Sequence, residues 1–349
     1  MAPKPVVYLS KDIAKIVDKI DYSRLGENVA IKVHFGEKGC VTFTNPAIVK
    51  AVYDRLVSLG KKATLVECNV LYRGARTNRT DHIKTAKEHG FDFASIDILD
   101  GEKGEEFIEV PVENGLANPV KIGKGLTKYD SMIVLTHFKG HSLAGYGGVF
   151  KNIGMGLGSR AGKLHMHSDV KPFVDKEKCV GCGVCVKNCD FGGLFIKNAK
   201  AEIDKEKCVG CAMCIAVCPQ GAIQIPWTGS TSENLQKKIV DYTRGVIKII
   251  PKEKMVLVNV LQNITSRCDC AEEKQEPMME DIGILLATDM VAIDKASLDL
   301  AIKHSAGKFD NINSVDKNIL INYASEKGLG AKNYNLVNLD KVGSKEKTL

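Results

Sequence analysis

The sequence predicts a discontinuous α/β domain with a mainly parallel sheet and a small α+β unit inserted in its middle. Three observations carry this expectation. Strand and helix patterns alternate before residue 170, the alternation resumes after residue 229, and eight of the twelve cysteines lie between the two stretches. Alternating strands and helices are typical of a parallel sheet with helices packed on its faces. We expect the larger domain to span 1–170 and 229–349 and the inserted unit to span 171–228.

The N-terminal elements follow from apolar runs that predict strands and amphipathic stretches that predict helices. Asn45-Pro46 marks the start of the second helix, and Gly60 marks its end. The expected strands are 6–9, 28–35, 63–68, 93–99, 107–112 and 131–138, and the expected helices are 11–20, 45–59 and 82–89. After the cysteine-rich stretch, the same patterns predict strands at 255–260 and 281–287 and helices at 232–249, 290–304 and 319–327.

The composition is that of a globular protein. With 44% hydrophobic and 26% charged residues, the chain is unlike disordered, collagen-like or coiled-coil sequences. No apolar run approaches the roughly 18 residues of a transmembrane helix, and residues 6–9 are too short for a signal-peptide core, so we expect a cytoplasmic protein without a membrane span. The net charge of +7 comes from lysines spread along the whole chain, so nucleic acid is not an expected partner.

The cysteine-rich stretch contains a duplicated motif. Four cysteines follow the pattern C-x2-C-x2-C-x3-C, and the same pattern begins again 29 residues later. The residues around them repeat as well, because the eight residues 175–182 recur unchanged at 204–211. The first run is Cys179, Cys182, Cys185 and Cys189, and the second is Cys208, Cys211, Cys214 and Cys218.

This spacing predicts two [4Fe-4S] clusters. Three thiolates within seven residues wrap three corners of an iron–sulfur cube, and in two-cluster arrangements the fourth cysteine of each run ligates the other cluster. Zinc is the alternative, although two such dense runs fit two tetrahedral ions poorly. The expected ligand sets are Cys179, Cys182, Cys185 and Cys218 for one cluster, and Cys208, Cys211, Cys214 and Cys189 for the other.

The stretch 171–228 resembles a bacterial-type two-cluster ferredoxin domain. The second run ends with the usual Cys218-Pro219, whereas Cys189 is followed by Asp190. This departure places a carboxylate beside one ligand and leaves the expected ligand set intact.

The segment 136–167 combines histidines, lysines and glycines in a way that core segments do not. If the strand continues past Phe138, then His137, Lys139 and His141 point to one face, as do His165 and His167. An anion cradle is one interpretation, and tight helix packing with hydrogen-bonded histidines is the other. A dinucleotide fingerprint at 156–161 lacks a preceding strand. The candidate cofactor-binding residues are Gly147, Gly148 and Lys163, with Lys151 as a second source of charge.

Cys268-Asp269-Cys270 is a second cysteine feature, because one intervening residue in an extended segment places both sulfurs on one side. The pair suits a soft metal as a possible second metal site, or serves as a redox pair. Cys40 and Cys68 are expected to be inert buried thiols.

Several segments carry a resemblance to a known family. They are 136–141 (THFKGH), 147–156 (GGVFKNIGMG), 263–270 (NITSRCDC), 281–285 (DIGIL) and 289–296 (DMVAIDKA). Together they resemble the domain-of-unknown-function 362 (DUF362) family, in which an inserted ferredoxin unit recurs. The resemblance implies an α/β fold and iron–sulfur binding, and it implies no particular reaction.

Two functions follow. In the first, two [4Fe-4S] clusters relay single electrons between redox partner proteins and a site in the α/β domain, which makes the chain a candidate oxidoreductase. In the second, the His137/His141 and Cys268/Cys270 region binds an additional metal or small cofactor, as an enzyme or a metallocentre maturation factor. The candidate catalytic residues are His137, His141, Lys151 and Asp294, with Lys139 as a further candidate for substrate positioning.

Overall fold

The structure is a computed structural model that describes residues 3–168, 171–227, 229–270 and 274–341. The outer ends of the expected segments at residues 1, 170, 228 and 349 lie outside the described residues. Within the described part of the chain, no helix is long and apolar enough to cross a membrane.

The described strands form one large sheet and four two-stranded sheets. They are β1 (Val6–Ser10), β2 (Asn28–Lys32), β3 (Lys62–Glu67), β4 (Ile96–Ile98), β5 (Phe107–Val110), β6 (Val120–Gly123), β7 (Ser131–His137), β8 (Lys139–His141), β9 (Gly145–Gly147), β10 (Phe173–Val174), β11 (Leu194–Lys197), β12 (Lys200–Ile203), β13 (Ile223–Gln224), β14 (Met255–Leu261), β15 (Gly283–Ala287) and β16 (Asn335–Asn338).

The helices alternate with these strands before and after the cysteine-rich stretch. They are α1 (Ile13–Lys19), α2 (Pro46–Ser58), α3 (Arg79–Glu88), α4 (Val149–Leu157), α5 (Arg160–His167), α6 (Val184–Lys187), α7 (Met213–Val217), α8 (Ser232–Ile249), α9 (Met290–His304) and α10 (Asn318–Glu326).

The large sheet has eight strands in the order β16-β1-β15-β14-β7-β2-β3-β4. Only β15 runs antiparallel to its neighbours among these paired strands. β7 and β14, which come from opposite sides of the cysteine-rich stretch, pair in parallel with Leu257 opposite Val134. The expected α/β class with a mainly parallel sheet is therefore confirmed.

The sheet is covered on both faces. Alternate residues of β7 enter two cores, since Met132 and Val134 pack with α4, α8 and α9, whereas Ile133 and Leu135 pack with α1 and α2. Every residue of β7 and β14 is buried, as expected for central strands of a parallel sheet.

Local signals place both ends of α2 within one residue of the expected 45–59. Asn45 caps α2 by accepting a hydrogen bond from the Ala47 backbone N–H, and Pro46 occupies the first turn. Gly60 then takes a positive φ of +73°, which ends the helix at little cost because glycine has no Cβ.

The glycine-rich segment departs from its expected extended form. β8 and β9 form a short hairpin, and the chain then becomes helical through α4 and α5, so the expected strand alternation of His165 and His167 is wrong. The glycines allow close packing, because a Cβ on Gly154 would lie 2.2 Å from the carbonyl oxygen of Ile239 in α8. Ser159 caps α5 by accepting from the Gly162 N–H.

The cysteine-rich stretch forms two-stranded antiparallel sheets and two short helices around its own apolar core. The duplication is visible in the backbone, because Gly183 and Ala212 precede α6 and α7 with positive φ angles of 73° and 62°. Leu71 and Leu164 of the flanking segments complete this core.

Candidate metal centres and adjoining pocket

The eight cysteines of the duplicated motif separate into two sets. One cavity is lined by Cys179, Cys182, Cys185 and Cys218. The other is lined by Cys189, Cys208, Cys211 and Cys214. Each cavity thus takes three thiols from one run and the fourth from the other run, which is the crossed arrangement that the spacing predicts.

Backbone groups point at the thiols. The Ala201 N–H donates to Cys179 Sγ at 3.3 Å and lowers the pKa of that thiol, and the Ala222 N–H donates to Cys218 Sγ at 3.2 Å. Within the residues that the structure describes, no group of three or more His, Cys, Asp or Glu side chains is arranged so that it could hold a single metal ion. Four thiols around each cavity are the donor type that an iron–sulfur cluster requires.

A larger pocket lies next to this stretch, at the carboxyl ends of β2, β3 and β7. Its volume is about 370 Å³. The strand order reverses direction between β2 and β7, because β3 and β4 continue to one edge and β14 and β15 to the other. Ligands of open α/β sheets bind at such a point, in the crevice beyond the strand ends.

The Cys268-Asp269-Cys270 segment supplies two thiols to this pocket. Both cysteines line it, whereas Asp269 turns to the protein interior and is fully buried. Asp269 accepts from His137 Nδ1 at 2.9 Å and pairs with Lys139 Nζ at 2.9 Å. The carboxylate therefore anchors the segment and aims the thiols on either side of it into the pocket.

Charges around Asp269 keep it ionised. Burial raises the pKa of its carboxyl, but the charges and hydrogen bonds of His137 and Lys139 outweigh burial and hold the pKa far below its usual range. His137 Nε2 faces the carbonyl oxygens of Gln262 and Asn263 at 3.0 and 3.2 Å. Both ring nitrogens thus face oxygen atoms, and these contacts hold the ring between Asp269 and the segment that follows β14.

The two pocket thiols differ in acidity. The Cys270 S–H donates to Cys268 Sγ, and this bond, together with the ammonium groups of Lys151 and Lys139, holds the pKa of Cys268 well below its usual value despite burial. The same hydrogen bond and burial raise the pKa of Cys270. Lys151 Nζ lies 3.4 Å from Cys268 Sγ. The pair consequently consists of a thiolate and a thiol beside a lysine.

Buried ion pairs form the floor of the pocket. Lys32 Nζ donates to Glu67 Oε1 at 2.7 Å and to Asn152 Oδ1 at 2.8 Å. Arg76 Nε donates to Glu37 Oε2 at 3.3 Å, and its Nη2 donates to the Tyr72 hydroxyl at 2.7 Å. These contacts tie β2, β3, α4 and the loop after β3 into one rigid base.

Three histidines face the pocket as neutral rings. Burial and the neighbouring cations lower the pKa of His34 and His141 well below the usual value, and they lower that of His167 to about 3. His141 Nδ1 accepts from the backbone N–H groups of Leu143 and Ala144. Its proton therefore sits on Nε2, which is free to donate.

The residues singled out from the sequence are divided by the fold. His141, Lys151, Gly147, Gly148 and Lys163 line the pocket together with the Cys268/Cys270 pair. These predicted site residues therefore lie around one pocket. Their individual roles stay predictions.

His137 and Asp294 take positions outside that lining. His137 lies beneath the pocket and holds Asp269. Asp294 is fully buried behind α4, where it accepts from the Val149 and Phe150 N–H groups and from Asn259 Nδ2. Its contacts stabilise the start of α4, and the expected catalytic roles of both residues remain predictions.

Sequence reasoning missed Glu67, Tyr72 and Arg76 as pocket residues, and it missed Lys32 as the buried partner of Glu67. A usable signal existed for Lys32 and Glu67, because each is a charged residue that directly follows an apolar run at the end of its strand, and they are 0% and 2% exposed. Tyr72 and Arg76 lie in the loop after β3, which contacts the cysteine-rich stretch.

That loop joins the pocket to the cysteine-rich stretch. Leu71 and Tyr72 line the pocket and also pack on the core that contains the cluster cysteines. Arg73 Nη1 donates to the Pro219 carbonyl oxygen at 2.8 Å, next to Cys218. Trp227 closes the pocket from the other side, with its ring 5.0 Å from that of His167.

Comparisons with known proteins give a family and two partial likenesses. The chain is 53% identical over 30 residues to an uncharacterized ferredoxin of Methanocaldococcus jannaschii. The aligned stretch covers 9% of this chain and 20% of the relative. The lactate racemase apoprotein from Thermoanaerobacterium thermosaccharolyticum aligns with a TM-score of 0.37 and 13% identity, over 73% of this chain and 50% of that one. The chain thus spans a fifth of the curated relative and half of the solved structure.

The family match is much longer. The model for a domain of unknown function, DUF362, matches residues 29–299. This range begins in β2, ends in α9 and includes both the cysteine-rich stretch and the pocket. The chain belongs to the DUF362 family.

Proposed function

We propose that this chain is an electron-transfer protein that carries two [4Fe-4S] clusters and exchanges single electrons with the Cys268/Cys270 pair in its α/β domain. The observation that carries the proposal is the division of the eight motif cysteines into two cavities of four thiols each. The match to a ferredoxin supports iron–sulfur binding by this chain. The division into 171–228 and the flanking 1–170 and 229–349 belongs to the same proposal.

When bound, a cluster supplies one-electron redox chemistry. The cysteines of the pocket would add a two-electron redox couple to this one-electron chemistry. Reduction of a Cys268–Cys270 disulfide breaks one S–S bond and takes up two electrons and one proton, which leaves Cys268 as a thiolate and Cys270 as a thiol, and oxidation reverses these changes. A disulfide across one residue is strained, which makes it easier to reduce.

The pocket residues would serve this couple directly. Asp269 fixes the segment that carries both thiols, and Lys151 stabilises the thiolate of Cys268. Tyr72 and Leu71 line the pocket and pack against the cysteine-rich core, so they lie between the two. Redox partner proteins would supply or accept the electrons at the inserted unit.

A second candidate function is the binding of an additional metal or small cofactor in the same pocket. The observation in its favour is that His141 lines the pocket together with Cys268 and Cys270. His137 lies below it in contact with Asp269, so the four residues are not one ligand set in the described structure.

An elemental inventory of anaerobically purified protein tests the proposal. We expect about eight irons and a matching amount of acid-labile sulfide per chain. About two zinc ions without sulfide would contradict it. A further stoichiometric metal that disappears in Cys270→Ala, with iron unchanged, would favour the second candidate.

A further inference from the structure

The pocket beside the thiol pair is rich in positive charge. Arg76, Lys139, Lys151 and Lys163 line it, against the single carboxylate of Glu67 among the described lining residues. Glu67 already pairs with Lys32 at 2.7 Å. The lining therefore carries more positive than negative charge.

Three of these four cations have an anionic partner in the protein. Arg76 pairs with Glu37, Lys139 pairs with Asp269, and Lys151 contacts the Cys268 sulfur. These contacts keep the three cations in place, and the two lysine ammonium groups retain further N–H donors.

Lys163 differs from the other three. It is only 7% exposed, and Nζ donates to the Gly158 carbonyl oxygen at 2.6 Å, with no carboxylate within ion-pairing distance among the described residues. The charge of Asp100 acts on it from farther away, but the Asp100 oxygens accept from Asn69 and from the Arg160 backbone. A buried ammonium without an ion-pair partner is costly, and an anion in the pocket would offset that cost.

Neutral donors complete the arrangement. His141 presents Nε2–H, because its Nδ1 accepts two backbone hydrogen bonds. His167 lines the same pocket, and its buried Nδ1 has no hydrogen-bond partner among the described residues. Neutral imidazoles beside ammonium groups are suited to binding a carboxylate or phosphate.

We propose that the pocket binds a small organic molecule through a carboxylate or phosphate group, held by Lys163 and Lys151 with His141 and His167 as additional polar contacts. A volume of about 370 Å³ suits a metabolite-sized ligand. This inference deepens the proposed function and rests on it, because the ligand would lie against Cys268 and thereby be the substrate of the thiol pair.

The experiment measures protection of Cys268 and Cys270 from iodoacetamide in the anaerobic, metal-loaded protein. Inorganic phosphate and malonate serve as probes, and chloride at equal ionic strength is the control. We expect at least one probe to slow alkylation of the pair in the native protein. Protection by phosphate alone or by malonate alone identifies the oxyanion.

Variants at Lys163 separate charge from folding. Lys163→Met is expected to weaken protection about tenfold, the scale of one lost charge-assisted hydrogen bond, whereas Lys163→Arg keeps it. Lys50→Met on the exposed surface of α2 is the matched control and should behave like the native protein.

Two results would overturn the inference. One is the absence of protection by either probe in the native protein, and the other is equal protection in Lys163→Met and the native protein. Because alkylation is measured with the Cys268/Cys270 pair reduced and does not depend on electron transfer from the clusters, loss of protection with normal iron content contradicts this inference alone. Protection with zinc in place of iron contradicts only the proposed function.

Discussion

The cysteine-rich stretch and the pocket beside it obtain their chemistry in different ways. In the stretch, one local spacing repeated along the chain places four thiols around each cavity. In the pocket, Glu67, Arg76 and Lys163 come from distant segments that meet only in the folded domain. A site made from a local motif is readable from the sequence, whereas a site assembled at strand ends depends on the tertiary structure.

Removing cluster ligands should have the largest effect and should leave the pocket intact. Cys189→Ala and Cys211→Ala are each expected to lower the iron content from about eight to about four per chain, because both cysteines line one cavity. The double variant Cys189→Ala with Cys211→Ala should lose no more iron than either single variant. Iron and sulfide analysis measures this loss.

The matched pair is Cys189→Ala with Cys185→Ala. These cysteines line different cavities, so this double variant should lose nearly all iron. If it kept half, and Cys189→Ala with Cys211→Ala lost all, each run would bind its own cluster and the crossed assignment would be wrong.

Asp269→Asn should damage the pocket without affecting the clusters. The substitution leaves His137 and Lys139 buried without their carboxylate, and breaking such a pair costs about 3–5 kcal/mol of unfolding free energy. Urea unfolding measures the loss. Asp54→Asn, which breaks an exposed pair with Lys50, is the control and should cost less than about 1 kcal/mol. Equal losses in the two variants would refute the anchoring role of Asp269.

Asp269 and Asp294 are both buried, and they predict opposite pH trends. The pKa of Asp269 is depressed, so its stabilisation is present above the unfolded value of about 3.9 and is lost as the pH falls through the folded value. Burial raises the pKa of Asp294 to about 6, so its contribution is greatest below about pH 3.9 and is lost as the pH rises through 6.

Unfolding of Asp294→Asn tests this sign. Between pH 4 and pH 7, the native protein should lose about 2–3 kcal/mol of stability relative to the variant, which is the cost of ionising a carboxyl whose pKa lies about two units high. Any constant offset from altered hydrogen bonds to α4 cancels in the pH trend. A stability difference independent of pH would contradict the expected shift.

Lys151→Met should have the smallest effect. Its ammonium stabilises the Cys268 thiolate at 3.4 Å, so alkylation of Cys268 near pH 7 should slow about tenfold. The rate at Cys40, which burial keeps as an unreactive thiol, should stay the same. An unchanged rate at Cys268 would show that the lysine does not activate it.

Much of the fold was predictable because its signals are local. The expected helices at 232–249 and 290–304 coincide with α8 and α9, and the buried strands β7 and β14 lie within one residue of their expected ends. The segment that forms α4 and α5 was not predicted to be helical, because glycine disfavours helices in isolation. Close contact of Gly154 with α8 outweighs that preference.

The pocket was only half predictable. Local pattern pointed to Cys268, Cys270, Lys151 and Lys163, and it assigned His137 to the same site because alternate strand residues share a face. The turn that inserts Asp269 beneath the pocket reverses that expectation for His137, and only the packed structure shows it.

Anaerobic reductive titration tests the central claim that the clusters and the thiol pair form one redox system. The oxidised protein should take up about four electrons per chain, one for each cluster and two for the Cys268–Cys270 disulfide, and Cys268→Ala should take up about two. Alkylation and mass spectrometry at each step should show the pair changing from disulfide to free thiols. Uptake of about two electrons by both proteins, with free thiols throughout, would contradict the account.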